Sequence, residues 1–259
     1  MNTTAAHAIE VRGLECRQGE RTILRNVSFS VRRGELFFVI GGSGCGKSTL
    51  LKHLIGLLPV AAGSIAYFGR DFTTAEPAAR RDMQRSFGVS YQYGALWSSM
   101  TLAENVALPL EEYTKLAAPE RREIARWKLA QVGLAGCEDQ FPAEVSGGMR
   151  KRAAIARALA LDPAILFFDE PAAGLDPITS RALDRLILEI RDNLHTTMVI
   201  VSHELPSILG IADRAILLHR DVQGILAEGA PRRLLAEATD PRVREFLAPD
   251  DVVSASNQP

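Results

Sequence analysis

The sequence predicts an α/β fold built on a mainly parallel sheet, with an antiparallel β-subdomain and an inserted helical subdomain. Three observations lead there. The runs "ELFFVI", "AILFFDE" and "TMVIVSH" are apolar throughout and of strand length, as strands buried on both faces are. Segments of helical length separate them, which favours parallel pairing. The first run is followed at once by the glycine-rich "GGSGCGKST" and then by "LLKHLIGLL", giving strand, glycine loop and helix.

Ile9 to about Arg33 alternates apolar and polar residues, as in "IEVRGL" and "VSFSV", and reads as half-buried antiparallel strands. The middle, about 93–160, lacks a buried strand and reads as the inserted helical subdomain. Within it "TLAENVALPL" opens with a capping box, Thr101 and Glu104. In "PERREIARWKLAQVGL", Ile124, Trp127, Leu129, Val132 and Leu134 fall near helical spacing and predict an apolar face. The domain is expected over 9–247, with flexible termini at 1–8 and 248–259; the last stretch is polar and acidic.

The composition is that of an ordinary globular chain: 259 residues, 47% hydrophobic and 24% charged. A net charge of −1 argues against a broad nucleic-acid footprint, so no nucleic-acid partner is expected. No apolar run approaches the ~20 residues that span a bilayer. The start "MNTTAAHAIEV" has neither a basic leader nor an apolar core, so a cytoplasmic protein is expected. Cys16, Cys45 and Cys137, odd in number and widely spaced, read as reduced thiols.

"GGSGCGKS" fits the phosphate-loop pattern G-x-x-x-x-G-K-[ST] at Gly41, Gly46, Lys47 and Ser48. Phosphates need several backbone N–H donors converging closely. Glycine permits that approach, and the following helix adds its positive end. The loop Gly41, Gly42, Ser43, Gly44, Cys45, Gly46, with Lys47, Ser48 and Thr49, is therefore the expected nucleotide cradle. Lys47 would reach the β- and γ-phosphates, and the Ser48 hydroxyl would take one position on Mg²⁺. Cys45 at a helix start is either an activated thiol or, the favoured reading, a small side chain tolerated at a variable position.

"AILFFDEP" sets Asp169 and Glu170 at the C-terminal end of a buried strand, where open α/β sheets collect ligands. One carboxylate can hold Mg²⁺ through water while the other orients and deprotonates the attacking water. Gln92, after another apolar stretch, could reach the metal or that water. His203, ending "TMVIVSH", could donate to the γ-phosphate.

The order phosphate loop, glutamine, Ser-Gly-Gly, Asp-Glu, "GLD" and histidine resembles the ATP-binding cassette ATPases over about 9–247. The resemblance implies ATP and Mg²⁺ as ligands and ATP hydrolysis as the reaction. It implies Gln92 as the Q-loop glutamine, Asp169 as a metal residue with Ser48 and Gln92, and Glu170 as the catalytic carboxylate. His203 becomes the switch histidine, Asp176 the D-loop aspartate, and Ser146, Gly147 and Gly148 the signature motif. Members of the family pair head to tail, so that the Ser-Gly-Gly of one copy covers the γ-phosphate held by the other. The residues are suited to this, since Ser146 is a natural N-cap and the glycines bare N–H groups at a positive helix end.

Two departures stand out. Met149 replaces the commoner glutamine after Ser-Gly-Gly and is expected to pack without disabling the motif. The basic Arg150, Lys151 and Arg152 that follow either favour ATP's negative charge or, the favoured reading, form a solvated helix face. Before Gly19, where many members carry an aromatic residue to stack on adenine, this chain has Arg17 and Gln18; guanidinium stacking by Arg17 is the available substitute.

"YQYGALWSSMTLAENVALPLEEYTKL", "SGGMRKRAAIARALALDP" and "DPRVREFL" are similar to the ATPase subunits of Mce-associated lipid transporters, the Mla-type phospholipid systems among them. That likeness implies a homodimer on the cytoplasmic face of the inner membrane. Above it would sit permease subunits and an Mce-type lipid-binding protein. It also implies a permease-contact surface near Gln92 to Met100, although Leu96 and Trp97 read equally well as core. The competing readings are a solute importer or exporter ATPase, and, more remotely, a soluble cassette ATPase of translation or DNA repair.

Overall fold

The computed structural model describes residues 7–248, which form two compact units, 7–73 with 200–248 and 74–199. In chain order the first unit begins with β1 (His7–Gln18), β2 (Arg21–Arg32), β3 (Leu36–Gly41), α1 (Lys47–Leu54), β4 (Ser64–Tyr67) and β5 (Arg70–Asp71). The second holds α2 (Pro77–Gln84), β6 (Phe87–Ser90), α3 (Leu102–Tyr113), α4 (Ala118–Gln131), a 3-10 turn (Pro142–Glu144), α5 (Gly147–Ala158), β7 (Ile165–Asp169) and α6 (Pro177–Leu194). β8 (Thr197–Ser202) carries the division between the units. The first unit then resumes with α7 (Leu205–Ile211), β9 (Arg214–His219), β10 (Gly224–Gly229), α8 (Pro231–Glu237) and α9 (Pro241–Leu247).

In the first unit β2, β1, β4 and β5 form an antiparallel sheet; the alternating residues predict β1 and β2, while β4 and β5 lie outside the stretch read as strands. β1 starts at His7, which pairs with Arg32, and Ala8 is fully buried. The flexible start expected over 1–8 is thus corrected at these two residues, because the strand's apolar face begins earlier than Ile9. The rest of that expectation, and 249–259 of the other end, lie outside the described residues; Ala248 is described and closes α9 by donating to the Arg244 carbonyl. β3 runs parallel to β9, with β10 antiparallel beyond it. Every residue of β3 is buried, and Phe37 stacks on Phe29 with ring centroids 5.3 Å apart.

In the second unit β7 pairs parallel with β6, and Phe87 meets Phe167 edge to face at 5.4 Å. The helical segment begins at Leu102, since 91–101 contains no helix. Its first helix is closed by the predicted capping box: the Thr101 hydroxyl accepts from Glu104 N–H at 3.2 Å and the Glu104 carboxylate accepts from Thr101 N–H at 2.7 Å. The apolar face predicted for α4 holds at Leu129, Val132 and Leu134, which are buried, and at half-buried Ile124; it is corrected at Trp127. Ala125, Leu129 and Lys128 face in, while Trp127 is 64% exposed. Lys128 turns inward because Asp162 receives its ammonium at 2.5 Å, and the Trp127 ring lies over that cation at 5.5 Å.

Candidate nucleotide site

The phosphate loop of the first unit is glycine-built for two different reasons. Gly41 holds φ 147, and a β-carbon there would sit 2.4 Å from the Leu218 carbonyl oxygen and 2.7 Å from Cys45 Sγ. Gly46 holds φ 106, and its β-carbon would strike Ile23 and Leu24 at 2.9 Å. These two let the loop pass close to β9 and β2. Gly42 and Gly44, by contrast, are exposed, and a β-carbon on either would meet nothing within 4 Å among the described residues. They leave the outer face of the loop bare, as an approaching phosphate requires.

Lys47 begins α1, and its ammonium donates to the Gly41 carbonyl at 2.7 Å and the Gly42 carbonyl at 3.2 Å. The cation is therefore held at the loop itself. Ser43 and Ser48 are exposed and Thr49 half-buried. Cys45 lies under the loop, 4% exposed, and burial raises its thiol pKa despite Lys47 and Arg220. The activated-thiol alternative is thereby removed, leaving the small, packed side chain. His203 follows β8 with its ring exposed, Nε2 3.7 Å from Glu204 Oε1. Arg17 pairs its guanidinium with Glu15 at 2.6 Å, which holds the Glu15 carboxyl below its ordinary range.

The remaining expected residues belong to the second unit. Ser146 is the N-cap of α5, accepting from Met149 N–H at 3.2 Å. Met149 thus serves the cap through its backbone, and its side chain is half-buried. Gly147 is exposed with room around it, whereas Gly148 lies against α6. Asp176 caps α6, accepting from Ile178 N–H at 2.9 Å and Thr179 N–H at 3.0 Å, and from the Thr179 hydroxyl at 2.5 Å. That hydroxyl, then the backbone N–H groups, lower the Asp176 pKa. Asp169 is half-buried at the end of β7; Glu170 is buried and takes φ 50, a left-handed backbone uncommon outside glycine.

The solvated face expected for the three basic residues holds at Arg150, which is exposed, and is corrected at Lys151 and Arg152, which are half-buried. Arg150 donates to the Val145 carbonyl at 2.8 Å and Arg152 to the Val132 carbonyl at 3.2 Å. Lys151 donates to the carbonyls of Gln92 at 3.0 Å and Glu170 at 3.4 Å, bringing those two expected site residues together. Helix α5 has orphan carbonyls of neighbouring turns around it, and long cationic side chains satisfy them. The sequence carries a signal for the Asp176–Thr179 cap, an Asp followed by Thr at the right spacing. For Lys151 it carries none, because nothing local shows which carbonyls will lie within reach.

Residues 24–173 match the family model described as ABC transporter. The chain is 39% identical over 247 residues to the intermembrane phospholipid transport system ATP-binding protein MlaF of Escherichia coli (strain K12), covering 95% of this chain and 91% of that protein. It is 42% identical over 240 residues to the probable ribonucleotide transport ATP-binding protein mkl of Mycobacterium tuberculosis (strain H37Rv). That match covers 93% of this chain but only 66% of the mycobacterial protein, so the chain spans a little under two thirds of that relative. Among solved structures, a dimeric post-hydrolysis state of an ATP-binding cassette bound to ADP and Pi superposes with a TM-score of 0.75 at 27% identity, over 86% of this chain and 98% of that one. The chain therefore belongs to the ABC transporter family, and its fold is that of an ATP-binding cassette.

Proposed function

We propose that this chain is the ATP-hydrolysing subunit of a lipid transporter, acting as a head-to-tail pair beneath a membrane permease. The observation that carries the reading is the phosphate loop, whose Gly42 and Gly44 leave an open face beside the ammonium of Lys47. A second anion-seeking helix start, Ser146–Gly148, stands capped in the same chain, with Ser146 and Gly147 exposed. Two copies give each such end a phosphate: one copy's loop holds the nucleotide and its partner's Ser146–Gly148 closes over it. The dimeric cassette with ADP and Pi supports this pairing.

In this reading Lys47 neutralises the β- and γ-phosphates, and backbone N–H groups of 42–49 receive their oxygens. Glu170 orients the attacking water and accepts its proton. His203 donates to the departing γ-phosphate, and Asp176 shapes the partner-facing end of α6. Ser48, Gln92 and Asp169 would hold Mg²⁺, and all three offer oxygen, the donor that ion prefers. Bound there, the ion would neutralise charge on the phosphates.

The lipid cargo rests on the likeness to MlaF over nearly its whole length. The name of the mycobacterial relative favours a second reading, a polar nucleotide cargo. Among the described residues no helix is long and apolar enough to cross a membrane, so the permease would supply the membrane path. Its contact surface fits the groove of about 530 Å³ lined by Ser99, Met100, Ala103, Leu108 and Arg121. Tyr93 and Trp97, 88% and 61% exposed, stand in the loop before α3. An Mce-type protein beyond the permease belongs to the same proposal.

Glu170→Gln tests the catalytic part. The variant should keep ATP binding, form an ATP-dependent dimer in size exclusion, and lose hydrolysis in the assembled complex. Intact turnover without a nucleotide-dependent dimer would reject it. Mass spectrometry of the complex purified with its membrane partners tests the cargo: retained phospholipid supports the first reading, and hydrolysis stimulated by ribonucleotides the second.

A further inference from the structure

Helix α5 grips the Gln92 segment and the end of β7 at once. The Lys151 ammonium donates to the Gln92 carbonyl at 3.0 Å and to the Glu170 carbonyl at 3.4 Å. Two turns further on, Arg157 donates to the Gly94 and Ala95 carbonyls, both at 2.7 Å. Between them, a β-carbon on Gly94 would lie 3.4 Å from that of Ala154, so backbone and helix are in contact. Glu170 and Ala95 both hold left-handed backbone, at φ 50 and 48. Such a conformation costs a side-chain-bearing residue about 1–2 kcal/mol and persists when its surroundings fix it. A charged donor on the carbonyl is such a restraint, since hydrogen bonds to charged groups are roughly twice as strong as neutral ones. The same helix begins at Ser146–Gly148.

We infer that Lys151 is a positioning residue that couples the two nucleotide sites of the pair, by tying the backbone of Gln92 and Glu170 to the helix whose start closes on the partner's nucleotide. The inference rests on the proposed pairing. Gln92 and Glu170 serve the nucleotide held by their own chain, while Ser146–Gly148 serves the other. A helix that settles onto the partner's phosphate moves Lys151 with it, and Lys151 sets the carbonyl, and through it the side-chain direction, of Glu170. Arg157 holds the Gln92 segment to the same helix, so both residues follow together.

The test is ATP hydrolysis by the complex purified with its membrane partners, with Lys151→Met, Lys151→Gln and Lys151→Arg. The Met and Gln variants should lose about tenfold or more in kcat with KM and monomer ATP affinity changed less than about threefold, the split expected when an interaction acts only in the transition state. Lys151→Arg, which keeps the charge and donors, should recover at least about a third of kcat. Loss in KM alone, or an Arg variant no better than Met, overturns the inference. Failure of both Met and Gln variants to assemble at the wild-type Tm also overturns it, since Lys151 would then be a structural strut. Glu170→Gln in the same assay separates the two levels. A dead Glu170→Gln beside a normal Lys151→Met rejects only the coupling, whereas an active Glu170→Gln rejects the catalytic reading beneath it.

Discussion

Gly148 faces the γ-methyl of Thr179: a β-carbon on residue 148 would lie 2.8 Å from it. A β-carbon on Gly147, its neighbour, would have only Arg150 Nη2 within 4 Å among the described residues, at 3.7 Å. The two glycines of the Ser-Gly-Gly motif therefore answer to different constraints. Gly148 lets the start of α5 approach α6. Gly147 leaves a bare surface outward.

This difference predicts opposite results for two alanine variants. Gly148→Ala overpacks against Thr179 and should destabilise the chain by about 1–3 kcal/mol. Gly147→Ala should leave stability within about 1 kcal/mol of the parent, because alanine favours helix and nothing blocks it. It should nevertheless remove hydrolysis in the complex, since its methyl would stand where the partner's phosphate approaches. Thermal unfolding and turnover, measured on both variants, check the pair. Full activity in Gly147→Ala would contradict the cross-chain assignment. Ser146→Ala should likewise spare nucleotide binding by the monomer.

Lys47 gives a prediction on binding. Its ammonium donates to the Gly41 and Gly42 carbonyls and so stays beside the phosphate path. Charge-assisted hydrogen bonds are worth about 1.5–3 kcal/mol, which corresponds to a loss of about 10- to 150-fold in nucleotide affinity for Lys47→Ala. Titration with a fluorescent ATP analogue on the isolated chain measures it. An affinity within about twofold of the parent would place the phosphates elsewhere.

Much of the fold and site is legible in the sequence, for identifiable reasons. The buried strands β3, β7 and β8 announce themselves because a strand covered on both faces has no polar alternation to hide it. The phosphate loop and the Ser146 cap are local backbone chemistry, written in adjacent residues. Periodicity misleads at Trp127 and Lys128 because the face of α4 is decided by Asp162, distant in sequence, whose carboxylate takes the lysine inward. Lys151 and Arg152 of α5 mislead for the same reason: the carbonyls they satisfy, of Gln92, Glu170 and Val132, lie far off in the sequence. Position 170 shows a third kind of limit. No residue-level signal marks a glutamate for left-handed backbone, which comes from the turn it must complete after β7.

Asp176 has a second role that the family likeness does not convey. It caps α6 through two backbone N–H groups and the Thr179 hydroxyl. Asp176→Ala should therefore lower the Tm by roughly 2–4 °C, the usual cost of a lost N-cap in a chain of this size. Asp176→Asn retains an acceptor oxygen and should hold most of that stability while altering turnover in the complex. A Tm unchanged in the alanine variant would show that the cap is dispensable, and hydrolytic defects could then be assigned to the partner interface alone.

The last prediction concerns pH and the helix behind the phosphate loop. His53 of α1 is 1% exposed, and its Nε2 lies 3.0 Å from the Arg17 N–H, placed to accept from it. Burial pushes the imidazole pKa below its ordinary 6.5, only partly offset by backbone groups at Arg17, Pro59 and Leu58. The unfolded chain binds that proton more readily than the folded one, so stability must fall as protons are added. The contribution is fully present above pH 6.5 and is lost as pH falls through the depressed folded value. Tm should hold between pH 8 and 7 and decline below about 6.5. In His53→Gln, whose side-chain oxygen can accept the same N–H without titrating, the decline over that window should shrink. An equal slope in parent and variant would assign the acid sensitivity to another group. A flat profile in the parent would mean that α1 accommodates the charged ring.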